Sequence, residues 1–405
     1  MFDSTLALLM EGYAWLPNRR RRSRDKPVHS RLMGKNTVAL HGPEAVRFFY
    51  DESHIERHGA LPGPLLDTLF GRGAVHTLDG QAHHRRKALF LSLVKDRSGL
   101  ASLADHLGAE WDLACQRWAE RDRVVLFDES SLLLTRAVCA WSGLPLTDRE
   151  AEETAGDLVA MVDGFASAGP RHLRARRARS RQEDRLAGRV AGIRDGSQAA
   201  AAGSVLEAVA TYRDADGQPL DPNTAAVEIL NVIRPTVAVA WFLTFAAHAL
   251  HRWPEHRTPL ADGDAAYARA FAHEIRRFYP FAPFVGGRAA VDLRWGGQNI
   301  PAGSMVLLDL YGQNHDPELW PEPYAFDPRR FLGREPGRDE LVPQGGGEPA
   351  ANHRCPGEDV TLTVLGTLVP RLAALDYDVP AQDLGIPLGR IPTAPQSGFV
   401  ITTVR

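Results

Sequence analysis

The sequence predicts a mainly α-helical protein with small β-sheets. Ala/Leu/Arg-rich stretches with an apolar period of 3.6 recur through the first 250 residues, most clearly over 101–119 and 224–252. Short strand-like runs come later, at 305–310 (MVLLDL) and 398–404 (GFVITTV), bounded by Gly and Pro. No Gly/Ser/Pro-rich linker, low-complexity tract or repeat of fixed period divides the 405 residues, so a single domain over 1–405 is expected.

At 44% hydrophobic and 24% charged, the composition is that of an ordinary globular chain long enough to bury a large core. A formal net charge of -3 gives no general affinity for nucleic acid, and no nucleic-acid partner is expected. Charge is unevenly placed, with basic runs at 19–24 and 171–181 (RHLRARRARSR). Each reads either as solvated surface or as a cationic rim that draws in anionic substrates. Residues 1–17 lack a basic start followed by an apolar core, so no secretory leader is expected and the cytoplasm is the expected compartment.

Three cysteines make no disulfide framework. Cys115 falls on an apolar helical stripe with Leu103, Leu107, Trp111 and Trp118, and Cys139 lies in the apolar run LLLTRAVCAW. Both read as small core hydrophobes. The segment 225–250 is long and apolar enough to raise a membrane helix. Glu228, Asn231, Arg234, Pro235 and His248 interrupt it, and a charge at the middle of a lone span is costly. No membrane span is expected; a helix through a protein core with a polar site at its centre fits better.

Cys355 has a different neighbourhood. It follows a Gly-rich stretch in PQGGGEPAANHRCPGED (343–359) and precedes the start of an amphipathic helix. A thiolate there meets unpaired backbone N–H groups and the positive end of the helix dipole, which favour ionisation. His353 and Arg354 add positive charge beside it. Glu274 and Arg277, at i,i+3 in AHEIRRFYP, can pair on one helix face, and FDPRRF (326–331) offers Arg330 to complete a Glu-Arg-Arg cluster.

In this ordered set the sequence resembles the cytochrome P-450 superfamily. The resemblance implies the P-450 fold, haem b as cofactor, Cys355 as the iron ligand and a structural role for Glu274, Arg277 and Arg330. Departures are visible. Glu348 and Ala351 stand where an aromatic residue and a Gly are usual, and the loop beginning at Gln344 looks expanded. In the long helix, Asn231-Val232-Ile233-Arg234-Pro235-Thr236 replaces the usual acid–Thr pair.

That Arg-Pro pair resembles the bacterial fatty-acid peroxygenase branch. The likeness extends to EGYAWLPNR, LFGRGAVHTLDGQAHHRRKALFLSL, MVDGFASAGPRH, LLDLYGQNHDPELW and HRCPGE. It implies hydrogen peroxide as oxidant, a fatty acid as substrate and no obligatory electron-transfer partner. Arg234 would be an expensive buried charge in the free protein, relieved by a substrate carboxylate in a charge-assisted pair; otherwise it pairs with Glu228 or another core acid. The same carboxylate can then serve as base and acid for peroxide heterolysis. Pro235 shapes the helix beside the cofactor.

His83 and Lys87, at i,i+4, match the family's haem-propionate contacts, with Arg86 and His353 nearby. His76 falls where this branch places a distal-pocket Gln or His, and histidine there resembles members that decarboxylate fatty acids to terminal alkenes. It reads either as a group biasing the product or as mere pocket lining. The rest of the pocket should be apolar, since burying an alkyl chain gains roughly 0.8 kcal/mol per CH₂. Phe70, Phe165, Phe281 and Phe284 are candidates, and Pro170 and Arg171 are candidates for the channel mouth. Two other readings stay open: a monooxygenase fed electrons by ferredoxin or flavodoxin, and a haem sensor or lipid binder without turnover.

Overall fold

The apolar segment at the centre of the sequence forms two consecutive helices, Pro222–Val237 and Val239–Arg252, separated by Ala238. The computed structural model describes residues 3–23, 26–214 and 216–404, so Met1, Phe2 and Arg24 of the segments above lie outside the described residues. Pro235, inside the first helix, has no N–H to offer the Asn231 carbonyl, and the helix is interrupted three residues later. Of the most apolar window in this pair, 94% is buried within the protein, so its hydrophobic faces are already covered by other helices.

Those covering helices carry the periodicity that predicted them. Arg97–Ala119 buries Leu103, Leu107, Trp111, Ala114 and Trp118 on one stripe, and Asp96 caps its first turn through the Gly99 N–H. Cys115 sits at the edge of that stripe and Cys139 inside the core; burial raises both thiols, to about 11 and about 12. Neither is a reactive thiolate.

The first third is less helical than its sequence predicted. Val28–Leu32 and Lys35–Leu40 form a hairpin that turns through Met33 and Gly34, both at positive φ. Its outer strand alternates buried and exposed residues, a short pattern that neighbouring helical signals hide. Lys35–Leu40 then runs parallel to Met305–Asp309, which pairs with Phe284–Ala289, and Ile55–Glu56 closes the five-stranded sheet. The expected late strand at 398–404 reduces to Val400–Ile401, paired with Val124–Val125.

The Glu-Arg-Arg cluster ties the late loops to the helix Ala265–Phe278. Arg277 binds both carboxylate oxygens of Glu274 at 2.7 Å, and Arg330 reaches the same carboxylate at 3.2 Å. Arg277 also donates to the Asn314 and Pro323 carbonyls at 2.9 Å, and Glu274 accepts from the Asp327 N–H at 2.8 Å. Glu274 and Arg277 are both fully buried, so removing one partner strands a charge without water. Glu274→Ala is therefore expected to cost about 3–5 kcal/mol, read as a fall in the urea midpoint. A loss below about 1 kcal/mol would show the cluster to be dispensable.

Two buried histidines, His248 and His273, contribute a pH limit. Burial pushes His248 down to about 4, with Arg252 and His251 adding like charge, and burial beside Arg276 and Arg269 does the same to His273. The unfolded chain protonates these imidazoles below about 6.5, whereas the folded chain keeps them neutral down to about 4. Melting temperature should therefore fall as pH drops through that window, and His248→Gln/His273→Gln should flatten the fall. Equal slopes in the two proteins would count against this assignment.

Candidate active site

The cavity takes its walls mainly from the helices Pro222–Val237 and Val239–Arg252, the turn and helix over 70–94, the segment 281–285 entering the strand Phe284–Ala289, and the loop 343–357 with the helix after it. It measures about 280 Å³ and is walled mainly by apolar side chains, among them Phe70, Val75, Phe90, Val94, Val232, Val239, Phe242, Phe281 and Val285. The Phe242 and Phe281 rings pack 4.4 Å apart.

Cys355 borders this cavity immediately before the helix Glu358–Ala374. Gln344 holds the loop: its carbonyl accepts from Cys355 N–H at 3.3 Å, and its amide donates to Thr361 Oγ1 at 3.0 Å and faces the thiol at 3.9 Å. Gly345, at φ 90°, admits the Tyr50 hydroxyl into the space a Cβ would fill, only 2.3 Å away. Burial pushes the Cys355 thiol up, against the pull of Gly357 N–H and the charges of Lys87 and Arg276. The helix terminus and neighbouring positive charge expected from the sequence favour the thiolate; desolvation outweighs them in the protein alone.

Arg234 also lines the cavity, and it has no acid partner among the described residues. One Nη donates to Asn231 Oδ1 at 3.3 Å, while Nε, though buried, has no partner. Burial pushes its pKa down to about 9, with the Arg179 charge acting in the same direction, so it remains a cation at neutral pH. Glu228, its alternative partner, is committed elsewhere: it binds Arg86 at 2.6 Å and accepts from Val75 N–H at 2.9 Å. Asn231 bridges the two systems, donating to Glu228 at 3.3 Å and to the Phe70 carbonyl at 3.1 Å.

The turn carrying Phe70 and His76 is fastened from several sides. Arg179, buried on the helix Pro170–Arg194, donates to the Leu69 and Phe70 carbonyls at 2.7 and 3.2 Å. Gly71, at φ 86°, leaves room for that guanidinium, which a Cβ would meet at 2.2 Å. The His76 ring lies 4.7 Å from Phe70, and its Nδ1 has no partner. Burial, and then the Arg234 charge, hold His76 well below the usual histidine range, so the imidazole is neutral.

On the far side, His83 and His353 stack with ring centroids 3.7 Å apart. Burial pushes them to about 3 and about 4. Lys87 donates to the Asn352 carbonyl and, at 2.7 Å, to the Arg354 carbonyl, and burial lowers it to about 8. Arg354 itself is paired with Glu358 at 2.8 Å, and Glu358 also meets Arg276.

Several sequence expectations are corrected. Arg86 is drawn away from the cavity by Glu228. Phe284 points to the other face of the sheet, onto the Trp15–Leu16 cluster, because neighbouring strand residues alternate sides. Phe165 and Pro170 end and begin helices outside the cavity, Pro170 exposed, and Arg171 pairs with Asp163 at 3.0 Å. Asn231, Glu228, Gln344 and Arg276 were missed as positioning residues. Only the i,i+3 spacing of Glu228, Asn231 and Arg234 signalled any of them.

Residues 263–367 match the Cytochrome P450 family model. Among curated relatives, the Cyclooctat-9-en-7-ol 5-monooxygenase of Streptomyces melanosporofaciens is 35% identical over 111 residues, 27% of this chain and 23% of the relative. The Putative cytochrome P450 137 of Mycobacterium tuberculosis is 26% identical over 170 residues, 41% and 35% of the two. The matched stretches thus span only about a quarter to a third of these relatives' own length. Full-length matches come from solved structures. Cytochrome P450SP alpha (CYP152B1) in complex with (R)-ibuprophen is 41% identical with TM-score 0.96, covering 100% of this chain and 99% of that one. A variant of cytochrome P450 OleT in complex with arachidonic acid is 36% identical with TM-score 0.97, covering 100% and 97%.

The chain belongs to the cytochrome P450 family. Within it, P450SP alpha and OleT are among its full-length neighbours and represent the fatty-acid peroxygenase branch that the Arg234-Pro235 pair resembles.

Family membership implies haem, and the residues present suit it. A thiol stands at a helix N-terminus, the walls are apolar, and the cavity-lining His83 and His353 present stacked basic rings, their buried Nδ1 and Nε2 3.8 and 3.7 Å from Glu52 and Asp79. Because Arg234 is buried as an uncompensated cation, Arg234→Met should raise the melting temperature of the substrate-free protein by about 2–4 °C while weakening carboxylate binding. A lower melting temperature would mean that the guanidinium is stabilising where it stands.

Proposed function

We propose that the chain is a single haem-thiolate domain over 1–405 that uses hydrogen peroxide to oxidise medium- to long-chain fatty acids. The products are α- or β-hydroxy acids, terminal 1-alkenes, or both. The hydroxylation consumes one peroxide and releases one water; the decarboxylation of a saturated acid consumes one peroxide and releases carbon dioxide and two waters. The observation that carries this reading is the buried Arg234 guanidinium, without an acid partner, in the same cavity as Cys355.

Cys355 would ligate haem b, and His83, Lys87 and His353 would stand nearest its carboxylates. When bound, the haem supplies activation of the peroxide O–O bond and the oxidising equivalent. Arg234 supplies the binding energy that selects an acid: a fatty-acid carboxylate gives it the anion that the fold withholds. The carboxylate, held by this cation, can take a proton from one peroxide oxygen and return it to the other, which replaces a protein acid–base pair. The acyl chain is left among Phe70, Phe281 and the valines of the wall, with its α and β carbons nearest the carboxylate anchor.

His76, neutral and with Nδ1 unpaired, can accept a hydrogen bond or a proton beside that anchor and so bias the product. Pro235 keeps the helix backbone open at the same level. No obligatory electron donor is required by this scheme, and the cytoplasm suits a chain with free thiols.

Purified protein given a saturated fatty acid and hydrogen peroxide, without reductant, is expected to yield hydroxy acids or alkenes by gas chromatography. Products that form only with ferredoxin or flavodoxin and a reductant would overturn the reading. Arg234→Ala should lower turnover of free acids at least about 100-fold, because it removes a charge-assisted pair from a dry site. Undiminished turnover in that variant would remove Arg234 from the mechanism.

A further inference from the structure

The short helix Thr5–Glu11 wears its apolar residues on the outside. Leu6, Leu9 and Met10, at i, i+3 and i+4, share one face and are 67%, 47% and 65% exposed. Its other side is already satisfied, since Ala7 and Leu8 pack against the Trp15–Leu16 cluster. Met33, half exposed at the tip of the first hairpin, joins this face: its N–H donates to Thr5 Oγ1 at 2.7 Å. Leu388 joins from the opposite end of the chain, where its carbonyl accepts from Tyr13 N–H at 2.9 Å.

Cations frame this apolar face. Arg31 and Lys35 flank the Met33 turn, and Arg21 and Arg22 stand by Glu11, Arg21 bonded to the Asn18 that donates to that acid; all four are exposed. Among the described residues the nearby acids are occupied: Asp3 accepts the Thr5 and Gly34 N–H groups, and Glu11 pairs with Arg19 at 3.1 Å. A second cationic margin follows across the Leu388 loop, where Arg390 and Arg171 share Asp163 and Arg171 also donates to the Ile391 carbonyl. Beyond it Leu173, Arg174, Arg176 and Arg177 are exposed.

We propose that this face docks on an anionic lipid bilayer surface. Apolar side chains bordered by exposed cations match a bilayer interface, which offers hydrocarbon beneath negative headgroups. The face also lies one residue from the cavity wall, because the Tyr13 hydroxyl donates to the carbonyl of Phe281, which lines the cavity, at 2.7 Å. A docked protein therefore has its cavity next to the phase in which long-chain amphiphiles reside. The docking is independent of which reaction the cavity performs, so the two proposals stand or fall separately.

Co-sedimentation of the holoenzyme with vesicles tests it. Phosphatidylcholine vesicles with about one-third phosphatidylglycerol should bind at least about tenfold more tightly than phosphatidylcholine alone, with weaker binding in about 0.5 M salt. Leu6→Glu/Met10→Glu should lose about tenfold or more in vesicle affinity at an unchanged melting temperature. Arg21→Glu/Arg22→Glu, which leaves the apolar face intact, should weaken binding only to the anionic vesicles. Protein that stays in the supernatant with both vesicle types, or a Leu6/Met10 variant that binds like the parent, overturns the proposal. So does a concentration-dependent dimer lost in that variant without vesicle binding, which would make a second copy the occupant.

Discussion

Glu228 precedes Arg234 by six residues on the same helix, but its carboxylate is spent on Arg86 and on the backbone of the turn carrying His76. The fold therefore holds a half-buried cation, Arg86, satisfied and a buried one, Arg234, without an anion within a single polar system, with Asn231 between them. A buried guanidinium without an anion destabilises the protein that carries it, and a low-dielectric setting makes its demand for one stronger. Apolar walls, the neutral His76 and the thiol loop are arranged around that demand.

Much of this was legible in the sequence, for particular reasons. The cluster of Glu274, Arg277 and Arg330 was legible because one pair sits at helical spacing and the third residue lies in a distinctive Pro/Arg/Phe segment. Cys355 stood out because a thiol before a helix is electrostatically unlike Cys115 or Cys139 inside apolar stripes. The long central helix betrayed its place by polar interruptions that a membrane would not tolerate.

What failed depended on long-range partners. Arg86 looked equivalent to His83 and Lys87, yet a side chain's target is set by which acid packs against it, and the partner is 142 residues away. Phe284 was chosen for its type, while strand alternation turned it to the other face. The early hairpin was hidden because a five-residue strand leaves too short a pattern to compete with adjacent helices. Burial of Cys355 was invisible for the same reason: desolvation is supplied by segments remote in sequence.

The helix Gly80–Val94 binds on two sides through neighbouring residues. Arg86 grips the acid of the central helix, and Lys87 grips the carbonyls of the thiol loop. Adjacent positions on a helix diverge by about 100°, so the two grips point to different walls. The helix thus acts as a spacer bar whose setting is written in one dipeptide. An insertion or deletion between its start and that dipeptide would swing both grips together by the same angle, so the width of the slot is inherited as a unit rather than tuned wall by wall.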